Sequence, residues 1–254
     1  QIARVIASRV NQFHKSDKLT ARLRFLDSKE AVLARAKDTP SRPAWYCSGC
    51  PHNTSTKVPE GSLALAGIGC HVMATAIYPE QNKTMSQMGG EGVTWIGQAP
   101  FTTAKHVFQN IGDGTYYHSG LMAIRATVSS GVNITYKILF NDAVALTGGQ
   151  PMDGELYPWT ISKQIAAEGV GRICVISDEP EKYAKDLEWA PQVEIHHRRE
   201  LERLQLELRD IEGVTAIIYD QTCAAEKRRR RKRGLYPDPA RRVFINDAVC
   251  EGCG

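Results

Sequence analysis

Short apolar runs ending in glycine, asparagine or aspartate alternate with helical segments along most of this chain, and that alternation leaves few folds open. "SLALAGIG" (62–69), "HVFQNIGDG", "NITYKILFND", "VGRICVISD" and "VTAIIYD" read as strands. Between the later ones, "SGLMAIRATVSSG" and "ISKQIAAEG" read as helices closed by Gly131 and Gly169. "EPEKYAKDLEWA" reads as a polar helix and "HRRELERLQLELRDIEG" as a longer one. Strands separated by helices of roughly ten to fifteen residues require crossover connections. The expected fold class is therefore α/β, a doubly wound, mostly parallel sheet with helices on both faces. Ligands of such sheets bind at the carboxyl ends of the strands, where "GIGCH", "GDGTYY" and "FNDAV" fall.

Composition removes several function classes. At 254 residues, 42% hydrophobic and 24% charged, the chain can bury a sizeable core. No run approaches the ~18 apolar residues of a membrane span, and "QIARVIASRVNQF" lacks the apolar centre of a signal peptide. Seven cysteines without an export signal favour a reducing, cytoplasmic setting with thiols used for chemistry or ligation. The net charge of +4 is concentrated in "EKRRRRKRG" (226–234), so the whole domain is not a nucleic-acid footprint. Residues 16–38 read as helix, capped at Ser16 or Asp17, with "DSKEAVLARAKD" a second capped segment. Both ends look cut from something longer. The expected organisation is a helical lead-in over 1–44, an α/β domain over 45–225 and a basic linker with a truncated cysteine segment over 226–254.

Asp113 stands at one expected strand end, and Asn141 stands 28 positions later at the next. A carboxylate, an amide oxygen and a backbone carbonyl make an oxygen-only site suited to Mg²⁺, with room for phosphate oxygens. Glycines flanking Asp113 let the backbone approach a diphosphate, and the following helix N-terminus offers free N–H groups. "GDG" alone is a common turn; paired with Asn141, it favours diphosphate–metal binding.

These residues carry a resemblance. "GDGTYYHSG" with Asn141 resembles the thiamine-diphosphate signature. "WYCSGCPHNTS", "GIGCH" and "ILFNDAVALTGGQP" are similar, in order, to the cofactor loops of 2-oxoacid:ferredoxin oxidoreductases, most closely the indolepyruvate type in its fused bacterial form. The resemblance spans roughly residues 45–155, and "ICVISDEP" to "CEGCG" continues it. It implies that Asp113 and Asn141 hold Mg²⁺ with the Ala143 carbonyl, while Gly112, Gly114 and Thr115 receive the diphosphate. It places Cys47, Ser48, Gly49, Cys50, Pro51 and His52 at the cofactor's approach, and Gly69, Cys70 and His71 toward the thiazolium or diphosphate. His52, His71 and His118 carry both a catalytic and a hydrogen-bonded structural reading. The implied reaction is oxidative decarboxylation of a 2-oxoacid to an acyl-coenzyme A, with electrons passed to iron–sulfur clusters and ferredoxin. The activating glutamate is expected in a partner pyrimidine domain. Glu60 and Glu91, the nearest acids, match no segment of it, so the chain alone is expected to be inactive. Homo-oligomers, and contact with the remaining domains of the same polypeptide, are also implied.

Two Cys-x-x-Cys pairs, Cys47/Cys50 and Cys250/Cys253, lie about two hundred residues apart, far beyond a compact zinc knuckle. "CEGCG" instead resembles the start of a ferredoxin-type run for a 4Fe-4S cluster, incomplete here. Cys174 reads as a core residue, and Cys223 could face the cofactor side. The basic run reads as a solvated segment or as a docking surface for a neighbouring acidic domain; no aromatic residue interleaves it, which argues against nucleic acid. Two alternatives stand beside the main reading. One is a non-oxidative thiamine enzyme of decarboxylase or acetolactate synthase type, which needs no cluster. The other is a zinc-bearing nucleic-acid module.

Overall fold

A computed structural model describes residues 2–35, 43–151, 154–241, 243–246 and 248–251. The chain divides into two compact units, Gln1–Ala44 and Trp45–Gly254. In the first, α1 (Ile2–Val10) precedes α2 (Asp17–Arg35). A break and second cap at Asp27–Ser28 were expected; α2 instead runs through. Arg4 engages Asp27 at 2.7 Å and Glu30 at 2.7 Å, and Ser28 Oγ bonds back to the Phe25 carbonyl. The capping side chains are thereby occupied elsewhere.

Among the described residues the second unit holds seven strands: β1 (Leu63–Ala66), β2 (Asn82–Met85), β3 (Val107–Gly112), β4 (Ile134–Phe140), β5 (Arg172–Ser177), β6 (Glu194–His197) and β7 (Val214–Asp220). They form one sheet in the order β2-β1-β3-β4-β7-β5-β6, and every neighbouring pair is parallel. The helices are α3 (His52–Ser55), α4 (Ala74–Ile77), α5 (Val93–Gln98), α6 (Asp113–Thr115), α7 (Leu121–Ser130), α8 (Pro158–Ala167), α9 (Leu201–Arg209) and α10 (Ala224–Lys232). A π-helical turn, Tyr116–Gly120, joins α6 to α7. β4 and β7 are buried at all seven positions, as central strands covered on both faces must be.

One face of the sheet packs Ile134, Tyr136 and Ile138 against Trp95 of α5, Ile124 of α7 and Ile161 and Ile165 of α8. The other packs Leu139, Ile176 and Ile217 against Leu201, Leu204 and Leu208 of α9. Burying each of those leucines contributes about 2 kcal/mol. The chain leaves β1 toward β2 on one side and leaves β3 toward β4 on the other. That reversal opens a crevice beyond the carboxyl ends of β1 and β3, where doubly wound sheets bind ligands.

The five expected strands are present, and two more flank them. β2 ("NKTM") and β6 ("EIHH") are four-residue edge strands with no apolar run to announce them. The polar helix expected over "EPEKYAKDLEWA" is absent. Only a 3₁₀ turn, Pro180–Lys182, forms there. Tyr183 Oη then donates to Asp220 at 2.6 Å and its ring packs edge-on to Trp189, which draws the segment along the sheet in an extended path. The basic run, expected as a linker, is helical in α10.

Lys137 is the unusual core residue. It lies at the middle of β4, wholly buried, and its Nζ donates to the Lys57 carbonyl at 2.8 Å and Gln205 Oε1 at 2.9 Å. Neither acceptor carries charge, so burial pushes its pKa from 10.5 down to about 7. Between those values the unfolded chain holds a proton that the folded one has released, so stability rises with pH across that window. In Lys137→Met, denaturant unfolding at several pH values is expected to lose that rise.

Candidate functional site

The site forms where β3 and β4 end side by side. Gly112 pairs with Leu139 at the ends of these strands, so the loops after them leave the sheet together. Asp113, one residue beyond β3, is almost wholly buried and turns its carboxylate back across the gap. Its Oδ1 accepts the Gly114 N–H at 2.9 Å; its Oδ2 accepts the N–H groups of Asn141 at 2.8 Å and Asp142 at 3.1 Å. One side chain thus ties the start of α6 to the loop after β4. Burial outweighs these three donors and raises the Asp113 pKa from 3.8 to about 6.

Beside it, Asn141 Oδ1 is buried and has no hydrogen-bond partner. A buried acceptor left open costs about 1–3 kcal/mol unless something fills it. An unsatisfied amide oxygen next to a desolvated carboxylate is the donor chemistry of a hard cation. Around them lies a cavity of about 320 Å³, lined by Gly112, Asp113, Gly114, Thr115, Asn141 and Ala143 and, from β1 and the cysteine loop, by Gly69, Cys70, His71 and His52. A Cβ at Gly114 would meet nothing nearer than Val144 at 4.0 Å, so this glycine leaves its space to the cavity.

Much of the remaining wall is apolar, formed by Ile68, Met88, Val144 and Leu146 with Tyr117, while Thr147 adds a polar group. Motif reading did not single these out as site residues. Val144 and Leu146 sit within the quoted "ILFNDAVALTGGQP" segment, whereas no local signal marks Met88. The loop carrying Val144 folds back on itself, Val144 N–H donating to the Gln150 carbonyl at 2.8 Å and Gly149 N–H to the Val144 carbonyl at 2.9 Å. His118 also lines the cavity; its Nδ1 pairs with Ser119 Oγ at 2.7 Å.

His52 and His71 meet edge-on, ring centroids 5.9 Å apart. His52 Nδ1 lies 3.3 Å from Ser55 Oγ, while His71 Nε2 has no partner. At Gly69 a Cβ would strike the His71 ring at 2.6 Å, so only glycine admits this histidine beside β1. Burial lowers the pKa of His52 to about 4 and of His71 to about 3. Both rings are neutral at physiological pH.

Of the other expected residues, Cys47, Ser48, Gly49, Cys50 and Pro51 lie outside the cavity wall, in the loop leading to α3. Cys50 and Cys70 are buried enough to raise both thiol pKa values, Cys50 to about 11. The thiols of Cys47 and Cys223 lie close enough to add to each shift. Four free cysteines therefore gather at one edge of the site, Cys223 included. Among the described residues no three His, Cys, Asp or Glu side chains converge closely enough to hold a single metal ion. Cys250 is exposed, and Cys253 lies outside the described residues. Glu91 is wholly buried behind Gly67 and Glu60 is exposed; neither lines the cavity.

Known proteins give this geometry a context. The profile described as "Thiamine pyrophosphate enzyme, C-terminal TPP binding domain" matches residues 67–203. The indolepyruvate oxidoreductase subunit IorA of Thermococcus kodakarensis is 24% identical over 91% of this chain and 37% of its own length. The same subunit from Methanothermobacter marburgensis is 25% identical over 86% and 39%. The chain thus spans under two fifths of the length of these relatives. A solved 2-oxoglutarate:ferredoxin oxidoreductase from Magnetococcus marinus, with 2-oxoglutarate, coenzyme A and succinyl-CoA bound, shares the fold. Its TM-score is 0.53 at 16% identity, covering 73% of this chain and 66% of that one. NMR titration of the ring carbons is expected to leave His52 and His71 unshifted from pH 8 to about 5, since desolvation holds both neutral.

Proposed function

Because this chain belongs to the thiamine pyrophosphate enzymes through their C-terminal TPP-binding domain, we propose that it forms the diphosphate- and Mg²⁺-binding part of an indolepyruvate (2-oxoacid) ferredoxin oxidoreductase. The observation that carries the metal assignment is Asn141 Oδ1, buried and unpartnered beside the Asp113 carboxylate. Asp113, Asn141 and the Ala143 carbonyl would hold Mg²⁺, an all-oxygen set that leaves positions for phosphate oxygens. Gly112, Gly114 and Thr115, at the cavity wall where α6 begins, would receive the diphosphate. When bound, thiamine diphosphate supplies a carbon nucleophile and an electron sink for decarboxylation. Neutral His52 and His71 accept or donate hydrogen bonds at the inner wall without adding charge. The side formed by Ile68, Met88, Val144 and Leu146 would give the reacting end an apolar wall.

The activating carboxylate is assigned to another part of the protein, because Glu60 and Glu91 stand away from the cavity. We infer as substrates and partners a 2-oxoacid, coenzyme A, ferredoxin and the remaining domains of the polypeptide, in a cytoplasmic homo-oligomer; the names of the relatives support the 2-oxoacid, coenzyme A and ferredoxin. Among the described residues no helix is long and apolar enough to cross a membrane. For the 4Fe-4S cluster, the grouping of Cys47, Cys50, Cys70 and Cys223 favours these four thiols, a set of the size a cluster requires, over Cys250 and Cys253. After anaerobic reconstitution with iron and sulfide, Cys223→Ala is expected to lose cluster absorbance and Cys250→Ala to retain it. The reverse result would return the assignment to the terminal pair.

In the intact protein, Mg²⁺ with thiamine diphosphate is expected to raise the melting temperature by several degrees. A ligand at a hundredfold excess over Kd stabilises by about 2.7 kcal/mol. Asp113→Ala is expected to abolish that rise, and no rise in the wild type would refute the proposed cofactor site. The pH dependence has a defined sign. The folded-state pKa of Asp113 lies above its unfolded value, so burying the charged carboxylate costs stability above about pH 6 and the cost is relieved as protons bind below it. Mg²⁺ needs the carboxylate. Below about pH 6 the Mg²⁺ concentration for half-maximal thiamine diphosphate binding is expected to grow about tenfold per pH unit, measured by calorimetry.

A further inference from the structure

The basic run was expected to face solvent or a neighbouring domain. In the structure three of its arginines, Arg228, Arg229 and Arg230, reach the loops of the site. Arg230 Nη1 reaches Asp142 Oδ2 at 2.7 Å, and Nη2 reaches the Asp142 carbonyl at 3.2 Å. Arg229 donates to the Gly148 carbonyl, and Arg228 donates to the Ser48 carbonyl between Cys47 and Cys50 at 3.2 Å. The segment ahead of α10 contributes as well. Cys223 N–H donates to the Asn141 carbonyl at 3.0 Å and Gln221 N–H to that of Phe140 at 3.1 Å.

We propose that α10 is a positioning element for the metal loop, in which Arg230, aligned by Glu226, sets the Asp142–Ala143 backbone on which the cation site depends. The inference rests on the Mg²⁺ reading above and adds to it a residue outside the cavity. Asp142 is a non-glycine residue with φ of 58°, a left-handed conformation that a side chain disfavours unless its surroundings hold it. Arg230 supplies that hold by gripping both the carboxylate and the carbonyl of the same residue. The Asp142 N–H is one of the two that fix Asp113 Oδ2, and its carbonyl belongs to the peptide that leads into Ala143. Rotation of this backbone would remove a donor from Asp113 and turn the loop's oxygens.

Glu226 makes the grip specific. It is buried, and its two oxygens take Arg229 Nε at 2.9 Å and Arg230 Nε at 3.1 Å, so one carboxylate orients both guanidinium planes. An arginine fork held in this way forms two directed bonds where a lysine could form one. Arg231 provides the contrast within the same helix. It bonds the Pro237 carbonyl and lies over Tyr236, so its contacts are made away from the metal loop.

The test is Mg²⁺-dependent binding of thiamine diphosphate by the intact protein, followed by calorimetry. Arg230→Gln is expected to raise the Mg²⁺ concentration for half-maximal binding about tenfold. Arg230→Lys should recover only part of the loss. Asp142→Asn should act similarly to Arg230→Gln, and the double variant should lose no more than either alone, the mark of a shared contact. Arg231→Gln should leave the Mg²⁺ requirement unchanged. An unchanged requirement in both Arg230→Gln and Asp142→Asn would overturn the proposal, as would an equal shift in Arg231→Gln, which would signal a general charge effect. Failure of the wild type to bind thiamine diphosphate with Mg²⁺ is a different result and overturns the cofactor reading itself.

Discussion

The arrangement of the site depends on one buried carboxylate bridging two strand ends. Asp113 satisfies three backbone N–H groups from two loops that would otherwise leave the sheet independently. Buried N–H groups without partners are costly, so this is a structural demand before it is a functional one. The same interaction leaves Asp113 desolvated and Asn141 Oδ1 open, an imbalance that the proposed divalent cation would correct. In the proposed reading, fold and cofactor binding are coupled at a single residue, and what stabilises the loops also prepares the cation site.

Much of this was legible in the chain because the relevant signals are local. The apolar runs of β1, β3, β4, β5 and β7 are long or β-branched enough to announce buried strands, and Asp113 and Asn141 follow two of them directly. The edge strands β2 and β6 are not legible because the four residues of each are mostly polar, lie partly in solvent and form no apolar run. The helix expected over residues 179–190 had adequate local propensity. Tertiary contacts of Tyr183 and Trp189 overrode it. The apolar wall of the cavity was also not readable, since Ile68, Met88 and Leu146 come from separate loops and converge only when the sheet forms.

The cysteines and the basic run illustrate the limit from the other side. Sequence spacing pairs Cys47 with Cys50 and Cys250 with Cys253, yet folding brings the first pair to Cys70 and Cys223, which spacing could not link. Charge composition alone describes a run of seven basic residues as solvated. Helix geometry instead brings Arg228, Arg229 and Arg230 onto backbone carbonyls and the Asp142 carboxylate of the loops around the site, with Glu226 as the internal counter-charge. Both features lie at the carboxyl edge of the sheet, so that the cofactor loop, the thiols and α10 form one neighbourhood. That neighbourhood supports the proposed reading, in which electrons leave the cofactor by way of nearby thiol-bound iron.

The most direct test of the cofactor assignment replaces Mg²⁺ with Mn²⁺ and records its paramagnetic resonance in the intact protein, with and without thiamine diphosphate. The expected result is Mn²⁺ bound only with the cofactor, with phosphorus hyperfine coupling from the diphosphate, and loss of both in Asp113→Ala. Mn²⁺ binding that ignores thiamine diphosphate, or coupling that survives Asp113→Ala, would contradict the assignment of this cavity as the diphosphate–metal site.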